Sequence, residues 1–101
     1  MDKLHTESLA ELLARTLGPG WTPLVWENLG WHYAVRSPCG LLSVHPLFGT
    51  GFTAFLSDSI GGIGGKWAEH GDTPREAIDA VIKEAKKEYD LIGVVLKELN
   101  V

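Results

Sequence analysis

The stretch Thr73-Pro74-Arg75-Glu76 constrains this chain more than any other. Thr at the cap, Pro at the first helical position and Glu at the third make a capping box, in which hydroxyl and carboxylate satisfy backbone N–H groups that a helix start leaves bare. It predicts a helix opening at Pro74. Behind it Ile78, Ile82, Ala85, Tyr89, Ile92, Leu96 and Leu99 recur at alternating steps of four and three, the spacing of an apolar stripe on one helix face. Asp79, Lys83, Lys86, Lys87, Glu88 and Asp90 fall mostly on the wet side. Unbroken to Leu99 the helix is ~39 Å long at about 1.5 Å per residue, whereas a strand of about six residues spans ~20 Å. Its last two turns therefore overhang any sheet it packs on. Gly93 stands where the overhang begins, and Gly inside a helix costs about 1 kcal/mol relative to Ala, so a continuous helix and one broken at Gly93 are both open. In either form Val94, Val95, Leu96, Leu99 and Val101 need cover, from the chain's own core, a second copy or another protein.

Upstream, a first helix is expected from about Glu7 to Leu17, capped by Thr6 or Ser8, with Leu9, Leu12, Leu13 and Leu17 on one face and Gly18-Pro19-Gly20 ending it. Strands are expected at Thr22 to Glu27, Trp31 to Arg36, Leu41 to His45 and Phe52 to Ser57, with a short fifth at Lys66 to His70. The fold class is then α+β: an N-terminal helix, a four- or five-stranded antiparallel sheet and a long C-terminal helix packed on one sheet face, all in one domain over residues 1–101.

Pattern also predicts register, because a one-residue slip turns every side chain over. A tight turn at Leu29-Gly30 sets Asn28 opposite Trp31, and a turn through Ser37-Pro38-Cys39-Gly40 sets Arg36 opposite Leu41. One face then collects Leu24, Trp26, Trp31, Tyr33, Val35, Leu42 and Val44 as core. The other collects Val25, Glu27, His32, Ala34, Arg36, Ser43 and His45. For the fourth strand two registers stay open: a Gly49-Thr50 turn sends Phe55 inward and Phe52 and Leu56 outward, and a slip reverses them.

Charge excludes several classes. The net charge is −4, the wrong sign for a nucleic-acid backbone binder, which shows a basic patch or stripe. One cysteine permits no internal disulfide, so a cytoplasmic setting is expected. No run of about 18 apolar residues is present to span a membrane, and Met1-Asp2-Lys3-Leu4-His5 has no signal-peptide core. From Pro19 to Asp72 charge is confined to Glu27, Arg36, Asp58, Lys66, Glu69 and Asp72, yet this segment holds every Trp and Phe. Such a sheet has two apolar faces, one of which can be offered outward.

Three sets of residues invite a chemical reading. Glu27, His32 and His45, in one row by the register above, have the donor types of a zinc site with an open position or of an acid/base set; no metal-binding motif accompanies them, and no metal, cofactor or catalytic residue is expected. The run Gly61-Gly62-Ile63-Gly64-Gly65-Lys66 has neither the P-loop nor the dinucleotide spacing, and is expected to be a connector whose backbone can approach a partner closely. Cys39, beside Pro38 in a turn, is expected to be an ordinary thiol.

The segment from Phe52 to Asp90 (strand, turn, Gly-rich loop, short strand, then Gly71-Asp72-Thr73-Pro74-Arg75-Glu76-Ala77-Ile78 into a helix) resembles the HicB-type antitoxin domain. The resemblance covers about two fifths of the chain. It implies a non-catalytic, dimerising domain that acts by covering another protein. Read together, these features predict a protein-binding inhibitor or accessory protein of the kind carried by phages and mobile elements, with a protein partner, self-association into a homodimer, and no membrane or nucleic-acid partner. The expected partner-binding residues are Phe52, Phe55, Gly61, Gly62, Gly64, Gly65, Val95, Leu96 and Leu99. The alternatives are the enzyme built on Glu27, His32 and His45, and a small-ligand or double-stranded RNA-binding module.

Overall fold

The computed structural model describes residues 2–47, 49–57 and 65–99. Helix α1 spans Lys3–Leu17, followed by β1 (Thr22–Glu27), β2 (Trp31–Arg36), β3 (Leu42–Pro46), β4 (Phe52–Leu56), β5 (Trp67–Gly71) and helix α2 (Pro74–Glu98). The strands form one antiparallel sheet in the order β1-β2-β3-β4-β5. The fold is α+β as the residue pattern predicts. Among the described residues no helix is long and apolar enough to cross a membrane.

Helix α1 begins earlier than expected. Its cap is Asp2, whose carboxylate accepts the His5 N–H at 2.8 Å. Thr6 and Ser8 do not cap. Their hydroxyls donate back to Asp2 O (2.8 Å) and Leu4 O (3.0 Å), the bond such residues make inside a helix. The buried face is also turned from the expected one: Thr6, Ala10, Leu13 and Ala14 go inward, whereas Leu12 is 54% exposed.

Helix α2 opens as the capping box predicts. Thr73 Oγ1 accepts the Glu76 N–H at 3.1 Å, and the Glu76 carboxylate accepts the N–H of Asp72, one residue before the cap, at 3.2 Å. The helix runs unbroken through Gly93 for 25 residues. At its start β5 comes so close that a Cβ on Gly71 would collide with the backbone of Glu76 and Ala77.

Both helices cover one sheet face, α1 over β1 and β2, α2 over β4 and β5. The core between them joins Leu13 and Ala14 to Val35, Val44 and Ala54 and to Ala77, Ile78 and Val81. Two registers differ from expectation. In the first hairpin Glu27, not Asn28, pairs with Trp31, because three residues, Asn28, Leu29 and Gly30, make the connection, with Leu29 and Gly30 at φ 53° and 123°. This slip turns β1 over. Leu24 and Trp26 share the helix-free face with His32 and Ala34, and Val25 and Glu27 take the helix side. Leu24-Val25-Trp26 is apolar throughout, so either face would accept it, and the loop decides. In the second hairpin Arg36 pairs with Ser43, not Leu41, a shift of two residues that leaves the faces of β2 and β3 as expected. In the third, where pattern leaves two registers open, Pro46 pairs with Phe52 and Ser43 with Phe55, which sends Phe52 and Leu56 inward and Phe55 outward.

Two substitutions test this frame. Thr73→Ala is expected to lower the unfolding free energy in urea by about 1 kcal/mol through loss of the cap. Gly71→Ala is expected to cost more, because the atoms a methyl would meet include backbone that cannot swing aside.

Candidate functional site

The sheet is not paired along its whole width. β2 and β3 pair at Val35–Val44 and Arg36–Ser43, and the Ser37 N–H donates to Leu42 O at 2.8 Å beyond them. Toward the other end the same register would set Ala34 opposite His45 and then Tyr33 opposite Pro46, and the regular ladder stops before them. Alternation explains this: Ser37, Val35, Tyr33 and Trp31 turn their N–H and C=O groups toward β3, and Pro46 has no N–H to give in return. Pro23 is tolerated in β1 for the opposite reason. By the same alternation, set by the Asn28 N–H to Gly30 O bond, its nitrogen faces the open edge of the sheet.

At this end of the sheet a cleft of about 730 Å³ opens between the two hairpin tips. Side chains of both sheet faces line it. Trp31, Tyr33 and Phe52 come from the helix side and Trp26, His32 and His45 from the other, with Leu9 of α1 at the back. None of its described lining residues carries a formal charge. The Lys3 ammonium stands 5.6 Å over the Trp31 ring.

The helix-free face carries a row of rings beside this cleft. Trp26 stacks on His32 with centroids 5.9 Å apart, His45 is 6.1 Å from Trp26, and Phe55 meets His45 edge-on at 4.9 Å. His32 Nε2 lies 2.7 Å from Asn28 O, His45 Nε2 3.2 Å from Ser43 Oγ, and His70 Nδ1 2.7 Å from Thr53 Oγ1. Burial holds the His45 pKa below its ordinary value, so the imidazole in the cleft wall is neutral near pH 7. The expected row of Glu27, His32 and His45 is not assembled. The slip in the first hairpin puts Glu27 opposite Trp31, on the other side of the sheet from both histidines. Among the described residues no three His, Cys, Asp or Glu side chains stand together as a metal site.

The second feature is the free end of α2. Ala85 is the last buried residue of the helix. Trp67 reaches Tyr89 with ring centroids 6.3 Å apart, and Lys66 Nζ lies 3.4 Å from the Glu88 carboxylate. Beyond that point every described residue is exposed: Leu91, Ile92, Val94, Val95, Leu96 and Leu99 are between 46% and 68% accessible. Ile82, expected on the core stripe, is itself 48% exposed, because the buried face is Ala77, Ile78, Val81 and Ala85. The overhang therefore begins before Gly93.

The expected partner-binding residues thus scatter. Val95, Leu96 and Leu99 lie together on the free helix end, Phe52 is in the cleft, and Phe55 is on the helix-free face. Gly65 is exposed but close-packed, since a Cβ there would stand 2.8 Å from Phe55 Cβ. Gly61, Gly62, Gly64 and Val101 lie outside the described residues. Cys39 is exposed; its thiol pKa is lowered, first by the Ser37 hydroxyl 3.4 Å away. The cleft as such is not foreseen from the pattern.

No protein-family model, curated protein or solved structure matches the chain.

The lowered His45 pKa sets a pH dependence. The unfolded chain, with the ring near its ordinary 6.5, takes up a proton more readily than the folded one, so the stability His45 contributes is present above that pH and is lost as pH falls below it. Urea unfolding of the wild type and of His45→Gln across this range is expected to show the wild type losing more stability on acidification than the variant.

Proposed function

We propose that this chain is a non-catalytic protein-binding domain whose first partner is a second copy of itself, joined through the free end of α2. The observation that carries the reading is that the helix continues for three turns after its last buried residue, with its apolar residues in the open. A helix segment of this length has little stability of its own in water and depends on packing an apolar face. From Ile82 through Ala85, Tyr89, Ile92, Leu96 and Leu99 the steps are three and four in alternation, and the seam carries no charge. That is the pattern by which one helix pairs with a copy of itself, and a closed two-fold pair needs one self-complementary patch.

Ile82, Tyr89, Ile92, Leu96 and Leu99, on one side of the helix and each about half exposed, leave on the order of 600 Å² uncovered, below the roughly 800 Å² contributed per partner in a standard interface and in the range of a small one. The domain so assembled is read as an inhibitor-like or accessory protein that covers a target protein. The likeness of residues 52–90 to the HicB-type antitoxin domain and the net charge of −4, which steers association toward a basic surface, favour that role.

Sedimentation of the purified protein at micromolar concentration is expected to show a dimer. The double variant Leu96→Asp, Leu99→Asp is expected to be monomeric while keeping its cooperative unfolding and far-ultraviolet spectrum. Association should weaken by a factor of about a hundred or more, since each carboxylate would be buried without a partner. A strictly monomeric wild type overturns the reading.

A further inference from the structure

We infer that the second copy runs antiparallel to the first, the free ends of α2 crossing between Ile92 and Gly93 so that each helix tip closes over the rim of the other copy's sheet. The inference rests on the dimer proposed above and supplies its geometry.

Direction follows from where the apolar face points. Ile78, Ala85, Ile92 and Leu99 recur at steps of seven, so they share one side of the helix. The first two are buried, and α2 packs on β4 and β5. The last two, 52% and 67% exposed, therefore continue the face that the sheet covers further back. A parallel copy would turn Ile78 and Ala85 of both chains toward one axis and bring two sheets into the same space. An antiparallel copy puts the sheets at opposite ends of the pair.

Position follows from length. Past Ala85, the last buried residue, the free stretch runs from Lys86 to Leu99, about 20 Å at about 1.5 Å per residue. Two such stretches overlap fully when the two-fold axis falls at their midpoint, between Ile92 and Gly93. Leu99 of one copy then stands level with Lys86 of the other, at the rim where Trp67 meets Tyr89. A longer overlap drives the tip into the sheet, and a shorter one leaves apolar residues bare. The half-buried Trp67 at the rim adds to the apolar area that the stripe alone offers.

Gly93 stands at that midpoint. Within one chain nothing calls for glycine there: the position is helical, a Cβ would meet no atom within 4 Å, and Gly weakens a helix relative to Ala. Across the crossing it has a use. Tyr89, Ile92, Gly93 and Leu96 bound the kind of hole into which a facing side chain inserts, and the missing side chain of Gly93 deepens it for the other copy's Ile92.

The test places a nitroxide spin label on Lys83→Cys in a Cys39→Ser background, both positions exposed, and measures the distance between labels in the dimer. With residue 83 about nine or ten residues from the axis in each copy, the labels are expected about 30 Å apart at about 1.5 Å per residue. A parallel pair, its helix axes about 8–10 Å apart, would hold them within about 20 Å. Gly93→Leu, whose new side chain starts in open space within its own chain, is expected to keep the fold and to weaken association about tenfold by filling the hole. A dimer with labels within about 20 Å overturns the inference and leaves the dimer standing. A folded Gly93→Leu protein that associates as tightly as the wild type overturns the crossing at Gly93, whereas a wild type that stays monomeric overturns the dimer itself.

Discussion

Two backbone pairings, Val35 with Val44 and Arg36 with Ser43, join the half of the molecule that carries α1 to the half that carries α2. Elsewhere in the sheet neighbouring strands pair along five or six residues. The short join is held from its closed end by the turn after β2. There the Ser37 N–H bonds Leu42 O, and the Ser37 hydroxyl accepts the Leu42 N–H at 3.1 Å. At the other end Pro46 has no N–H to donate. Val35 and Val44 are fully buried at the centre of the core, so the same residues that tie the strands together also anchor both helices.

The core around that seam is made of small side chains. Ala10, Ala14, Ala54, Ala77 and Ala85 are buried with Leu13, Val35, Val44, Ile78 and Val81, and the largest fully buried side chains are valines and a threonine. Alanine and valine let helices approach a sheet closely, and a close approach leaves no layer thick enough for an indole. The aromatic residues are therefore displaced to the margins. Trp21, Tyr33, Phe52 and Trp67 are half-buried around the core, and Trp26 is exposed on the far face. The aromatic wall of the cleft and the thin core have one cause.

That displacement marks the limit of what pattern reveals. The capping box at Thr73, the long helix behind it and the strand positions are legible because each is a local preference written in a few adjacent residues. Registers are less so. The first hairpin depends on whether two or three residues close it, a difference of one residue that Leu24-Val25-Trp26 does nothing to resolve, and with it Glu27 leaves the side of His32 and His45. In the first helix the misplaced start has a similar origin. Thr6 and Ser8 are good caps and also good partners for a carbonyl one turn back, and the carboxylate of Asp2 takes the cap. A residue count places Pro46 just past the end of a strand. Only the pairing of its neighbours on both sides shows that it sits within a sheet and interrupts it.

The two exposed features lie at opposite ends of the sheet. Phe52, in the cleft, pairs with Gly71, next to the start of α2, whereas Leu56, at the other end of the same strand, pairs with Trp67, whose ring meets Tyr89 as α2 leaves the sheet. The helix thus starts beside the hairpin tips and carries its apolar residues away from them. Two copies joined through the free ends of α2 would keep both clefts open to solvent, facing away from the join. The helix end and the cleft are therefore separate parts of the surface, and strand β4 and helix α2 run from one to the other, so they are the elements through which a change at one end would reach the other.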